Sequence, residues 1–478
     1  MKFDKLESRI NAIWEEKTQS AIEIFVTRKA LSPGFDTEWR KKGVLRQVCE
    51  EAAQFGRSFF PKGDFEVIDD EGKSPSLIFS IPATGNYARA SDKTVFFYGH
   101  LDKQPEATGW SNGLGPWKPV IRDGKLYGRG CADDGYSIYA ALTAIQALER
   151  EGVPHPRCTG FIETREESGS DDVKYYIEKH RARFGEPALV AVLDSSAGNY
   201  KQLWLTSTLR GALMGNLRIR VLKNGMHSGV AGGVVPSSFD IIRILLDRIN
   251  DPRTGEFKLA SFKAQIPEFR LEQVKATAEA LKNSFLAEFH WAKNSAGESV
   301  HPMHEGAFNA MLAQTWKPSL SITGADGLPP LSQAGNTLRA ETDLHLSLRL
   351  PPSVNPEHAL AEISAALTQD IPFHADTEFT EACALPGWEA PEEAPWFRQA
   401  CDESSLAMWG RPALRIGEGG SIPILSFFES QFQRAQFAVT GILGPGANAH
   451  AGDECLDIAY TRKFITCVAS LVASVPEI

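Results

Sequence analysis

The run "TVFFYGHLD" (94–102) decides how the chain is read. Its first six residues are apolar without alternation, the pattern of a strand buried on both faces of a parallel sheet. It then stops abruptly at Gly99, His100 and Asp102, so a buried strand delivers an imidazole and a carboxylate to its end. "CTGFIET" (158–164) and "ALVAVLD" (188–194) repeat the pattern, and between the first two lies Tyr136 to Arg150, with Ile138, Leu142, Ile145 and Leu148 at helical spacing. Buried strands alternating with helices predict an α/β fold with a largely parallel sheet flanked by helices.

Beyond residue 209 the texture changes. In "AETDLHLSLRLPP" (340–352), Leu344, Leu346, Leu348 and Leu350 fall on one face and Asp343, His345, Ser347 and Arg349 on the other, as does a similar alternation in "MGNLRIRVLKNG". Helical patterns at Ser237–Ile249, Leu271–Ala292 and Pro356–Leu367 offer cover for one face of such a sheet. Helix and buried-strand texture returns from "APWFRQACDESSLAMWG" (394–410) through "FAVTGIL" (437–443). The expected organisation is therefore a first domain built from 1–209 and 385–478, with a smaller α+β domain, 210–384, inserted into it.

Composition narrows the partners. A net charge of −10 over 478 residues argues against a nucleic-acid ligand, whose binding draws on clustered Lys and Arg. No stretch approaches the ~20 apolar residues of a membrane span, and the N-terminus, interrupted by charges, reads as an amphipathic helix carrying Phe3, Leu6, Ile10 and Ile13 rather than a signal peptide. Seven scattered cysteines without a CxxC pair fit reduced thiols. A cytoplasmic protein with neither nucleic-acid nor membrane partner is expected.

In an open α/β sheet, ligands sit beyond the carboxyl ends of the strands. Those ends carry His100, Glu166 with Glu167, and Asp194, while Asp133 lies in the loop "YGRGCADDGY" before a helix. Taken singly, each has a plain structural reading: a hydrogen-bonded histidine, a helix cap, solvated loop charges. Gathered on one rim, the acids repel one another and are costly to bury unless cations neutralise them, which favours metal. "GRGCADDG" lacks the Lys-Ser/Thr ending of a phosphate loop, and "EGGSIP" lacks the GxSxG elbow of serine hydrolases.

With "GHLDKQP", "LYGRGCADD", "ETREESGSDD", "VLDSSAG", "GMHSGVAGG", "GEGGSIPI" and "GANAH" in order between residues 99 and 450, the chain resembles the M20 co-catalytic metallopeptidases, within them the cytosolic dipeptidase and carnosinase branch. The resemblance implies two divalent metal ions per subunit, one on His100 and Asp194, the other on Glu167 and His450, with Asp133 bridging. Nitrogen and oxygen ligands without thiolate favour zinc and are compatible with manganese. It further implies Glu166 as general base, Asp102 as the carboxylate that orients His100, His227 as an oxyanion-stabilising residue donated to a partner subunit, and Arg349 as the receiver of the substrate's carboxylate, with Asn336 and Ser421 in the same pocket. The inserted domain would then be a lid and dimerisation domain, the protein a homodimer, and the activity hydrolysis of dipeptides or similar small substrates with a free carboxylate. An N-acyl-amino-acid amidohydrolase of the same metal chemistry is the alternative. Gly135, where a lysine often follows the paired aspartates, and "NTLR" (336–339) depart from the usual pattern at substrate contacts and leave the ligand positions intact.

Overall fold

The strand Lys93–His100 is buried at every position from Thr94 onward, in a computed structural model that describes residues 2–90, 93–422 and 424–477. It lies between Arg157–Glu163 and Glu186–Val192 and runs parallel to both. Gln436–Val439 adds a parallel strand beyond Glu186–Val192, while Ser76–Ile81 and Asp64–Ile68 extend the opposite edge antiparallel. The result is a six-stranded sheet in which the three central and C-terminal junctions are parallel. Phe96, Phe97 and Tyr98 are each no more than 2% exposed, and burying a side chain of this size contributes about 1.5–3 kcal/mol.

The helix Tyr136–Arg150 buries every residue from Tyr136 to Leu148, because the sheet covers one side and the helices Phe3–Ile13 and Ile458–Ala473 cover others. Leu6, Ile10 and Ile13 are the buried stripe of the first helix, as their spacing predicts. A five-residue π-helical turn, Trp14–Thr18, then carries the chain into Gln19–Val26. All seven cysteines are free, and no helix among the described residues is long and apolar enough to cross a membrane.

Two compact units emerge: 1–206 with 390–416 and 427–478, and 207–389 with 417–426. These bounds differ from the expected ones by a few residues. The larger difference is Gly417–Ser426, expected in the closing segment of the first domain and clustered instead with the second.

The second unit holds a four-stranded antiparallel sheet in the order Ser319–Asp326, Glu341–Leu350, Gly211–Arg220, Asp376–Leu385. Along Glu341–Leu350 the leucines are buried and Asp343, His345, Ser347 and Arg349 are half-buried. The helices Ser238–Ile249 and Pro356–Thr368 pack onto the leucine face through Ile241, Leu245, Ile363 and Leu367. One expectation fails: the single helix expected over Leu271–Ala292 is instead a helix from Glu268 to Leu281, broken at Lys282 and followed by a short α-helix, Asn283–Ala287. Lys282 takes φ +47°, which no helix can propagate, and the polar "KNSAGES" (293–299) offers no apolar stripe to resume one.

Candidate metal centre

His100 ends its strand wholly buried, with its backbone N–H donating to Asp134 Oδ2 at 3.1 Å. Its Nδ1 faces the backbone carbonyl of Asp102 at 3.1 Å, which places the ring proton on Nδ1 and leaves a lone pair on Nε2. That Nε2 lies 3.2 Å from Asp133 Oδ1 and 3.6 Å from Asp194 Oδ2. On the other side, His450 Nε2 lies 2.9 Å from Asp133 Oδ2 and 3.1 Å from Glu167 Oε2. His100, Asp133 and Asp194 thus form one group able to hold a metal ion, and Asp133, Glu167 and His450 form another. Each oxygen of Asp133 belongs to a different group. All five residues lie in the first unit.

The donor set fits divalent cations. Burial alone would raise the Asp133 carboxyl, but the two imidazoles hold it well below the usual carboxylate range. Burial, with Asp194 beside it, pushes the Asp134 carboxyl well up. Burial together with Asp194 and Glu167 does the same to Glu166, only partly relieved by His100. Negative charge is in excess throughout, the condition a bound cation relieves.

Glu166 belongs to neither ligand group. It opens a single 3₁₀ turn, Glu166–Ser168, and its Oε2 stands 3.9 Å from His100 Nε2. The turn aims two adjacent carboxylates differently: Glu167 Oε2 accepts from Gln104 Nε2 at 2.7 Å and reaches His450, while Glu166 faces His100. What fixes the turn is Asp102. Its carboxylate accepts the backbone N–H of Glu166 at 3.2 Å and of Glu167 at 3.1 Å, and lies 3.4 Å from His100 Nδ1. Asp102 therefore contacts His100 most closely through its carbonyl, and its carboxylate chiefly positions the Glu166–Glu167 backbone.

The remaining expected residues lie in the second unit. His227 is exposed at the end of a two-residue strand paired with Thr337–Leu338, and Ser228 N–H donates to the Asn336 carbonyl at 2.8 Å. Its Nδ1 accepts from Gly229 N–H at 3.1 Å, so a neutral ring carries its proton on Nε2. Arg349 Nη1 donates to Ser421 Oγ at 3.2 Å. The structure thus gathers His227 with Asn336, and Arg349 with Ser421.

Sequence reasoning passed over Glu454 and Arg129. Glu454 is fully buried; Oε1 accepts from the backbone N–H of Gly130 at 2.9 Å and of Ala132 and Asp133 at 3.3 Å each, while Oε2 takes Arg129 Nη1 at 2.6 Å. One carboxylate, four residues after His450, therefore shapes the loop that presents Asp133. The available signal was a lone acid close behind a ligand histidine, too common to single out. Glu454→Gln should keep an acceptor for the amides but leave Arg129 buried without its counter-charge, and lower metal affinity about 10- to 100-fold, the usual effect of losing a residue that orients a ligand. Calorimetric titration of the metal-free folded variant checks this; wild-type affinity would mean the Asp133 loop holds its shape without that charge.

The sequence profile of peptidase family M20/M25/M40 matches residues 96–474. Among curated relatives, a Cys-Gly metallodipeptidase of Schizosaccharomyces pombe is 24% identical over 399 residues, covering 80% of each chain, and the human Beta-Ala-His dipeptidase is 24% identical over 349, covering 70% of this chain and 66% of the other. Among solved structures, human carnosine dipeptidase 1 superposes with a TM-score of 0.74 at 19% identity, covering 99% of both chains. The dipeptidase Dug1p of Saccharomyces cerevisiae gives 0.72 at 20% identity, covering 99% of this chain and 98% of that one. With the family profile spanning most of the chain, the protein belongs to peptidase family M20/M25/M40 and is a hydrolase of that family.

Proposed function

We propose that this protein is a dipeptidase carrying two divalent metal ions, zinc by preference and manganese as an alternative, one on His100 and Asp194, one on Glu167 and His450, with Asp133 shared. The observation that carries this reading is the division of the Asp133 oxygens between the two imidazoles, 3.2 Å from His100 and 2.9 Å from His450. Bound cations would supply Lewis acidity at the scissile carbonyl and a water acidic enough to lose a proton near neutral pH.

The chain's own groups carry the protons. Glu166, next to the ligands but not one of them, takes the proton of the attacking water and returns it to the leaving amine. Asp102 keeps Glu166 and Glu167 in place through their backbone amides. The Nε2–H of His227 offers a donor for the oxyanion that develops on the carbonyl oxygen. Arg349, steadied by Ser421, receives the substrate's carboxylate by its planar fork, and Asn336, beside His227, is a further substrate contact in this reading.

A homodimer is part of this reading. Around His227 the second unit exposes Met226 at 43%, Val230 at 67% and Val234 at 83%, apolar surface that a second copy would cover while placing His227 in its site. The free cysteines suit a reducing compartment, here the cytoplasm, and the names of the relatives favour small peptides as substrates.

The deciding assay uses metal-stripped protein, before and after adding Zn²⁺ or Mn²⁺, on dipeptides and matched N-acyl amino acids. Metal-restored cleavage of free dipeptides is expected; activity on the acyl compounds alone would replace the dipeptidase with an amidohydrolase. Glu166→Gln should bind metal normally and lose roughly 10²- to 10⁴-fold in kcat, the ordinary worth of general acid–base catalysis; loss of metal instead would exchange the roles of Glu166 and Glu167. Mixing inactive Glu166→Gln with inactive His227→Ala should regenerate part of the wild-type activity through hybrid dimers with one intact site. No recovery after subunit exchange would refute the shared site.

A further inference from the structure

Arg210 is a buried cation without a counter-charge. It is 8% exposed, and its guanidinium is held by neutral acceptors alone: Gly419 O at 3.2 Å, Lys317 O at 3.1 Å and Ser319 Oγ at 3.2 Å. Burial, and after it the charge of Arg349, pulls its pKa down to about 10. Ser421 ties the Arg349 guanidinium to the Arg210 backbone: Arg349 donates to Ser421 Oγ, and that hydroxyl donates to the Arg210 carbonyl. Ser319, which Arg210 holds, is the cross-strand partner of Arg349 and shares its sheet face. Among the described residues no carboxylate pairs with either guanidinium.

Arg210 also lines a cavity of about 970 Å³ in the second unit. Arg253, Lys263 and Lys317 line it as well, against the single carboxylate of Glu256. On a chain whose net charge is −10, four cations against one anion is a local reversal. Two adjacent guanidiniums in a partly dry setting repel each other and lack the compensation that buried charges need, so the arrangement is complete only with an anion. One carboxylate answers one guanidinium charge; Arg349 is already assigned the main-chain carboxylate, which leaves Arg210 and its cavity for a second.

We propose that Arg210 and the cation-rich cavity form the subsite for an acidic side chain on the substrate's C-terminal residue, so that the enzyme prefers dipeptides ending in glutamate or aspartate. The proposal rests on the dipeptidase reading and specifies its substrate class. With Nε and Nη1 fixed by Gly419, Lys317 and Ser319, the guanidinium is held in place and its Nη2 remains to donate to the carboxylate of such a side chain, while the isosteric amide leaves the charge unpaired. The lysines and Arg253 add attraction at longer range, which salt weakens.

The test compares kcat/KM for Ala-Glu with Ala-Gln, and Ala-Asp with Ala-Asn, using the metal-loaded full-length enzyme. A preference for the acidic member of about tenfold or more is expected, the scale on which a site built for a hydrogen-bonding charge rejects a neutral analogue. Arg210→Gln should bring the ratio toward one. Lys317→Glu, at an exposed position that folding tolerates, should lower it several-fold. The ratio is the informative quantity, because a damaged fold slows both members alike. Equal kcat/KM for acid and amide, or a preference that survives both substitutions, overturns the subsite while leaving the dipeptidase intact. Cleavage of neither member removes both.

Discussion

Asp133 is the residue on which the rest of the centre depends. It is 7% exposed, surrounded by other acids, and spends its two oxygens on two different imidazoles. A carboxylate so placed is tolerable only if its loop is held rigidly and its charge is answered. Rigidity comes from Glu454, which gathers three amides of the loop and is itself neutralised by Arg129. The other proposed ligands arrive from different places: His100 and Asp194 from the ends of the parallel sheet, Glu167 from the turn after Arg157–Glu163, and His450 from a loop in which it adopts φ +63°.

Asp102 shows how one side chain serves several contacts at once. Its carboxylate organises the backbone of Glu166, the proposed base, and of Glu167, a proposed ligand, and its carbonyl fixes the His100 tautomer. The backbone contacts suit the chemistry: a general base must stay within reach of a proton through the whole reaction, and an amide anchor restrains it without consuming its carboxylate.

Much of this was legible in the sequence, for physical reasons that differ by element. The unbroken apolar run 94–99 can only be a strand covered on both faces, and Tyr136–Arg150 has helical spacing along its full length, so both were read with their ends nearly in place. The alternation at 341–350 likewise specified which face of the second sheet is dry. Ligand types at strand ends pointed to metal before any coordinates. What the sequence concealed depends on contacts between distant segments. Glu454 shaping the Asp133 loop, and Arg210 standing beside Arg349 without an acid, are relations across more than a hundred residues that leave no local periodicity. The overlong helix at 271–292 failed because composition there stays mildly helical while Lys282 turns left-handed.

The first unit is discontinuous: it gives way to the second unit at residue 207, and its six-stranded sheet takes up its last strand only at Gln436–Val439. His450 and Glu454 come later still. On the ribosome, a nascent chain that has already produced His100, Asp133, Glu167 and Asp194 must wait for some two hundred and fifty further residues, on the order of tens of seconds at common elongation rates, before the fifth ligand exists. During that interval the Gly128–Gly135 loop lacks its anchor, and the edge of Glu186–Val192 that Gln436–Val439 will occupy stays open. The emerging polypeptide thus displays a half-made sheet and a surplus of acid until residues 436–454 have been made.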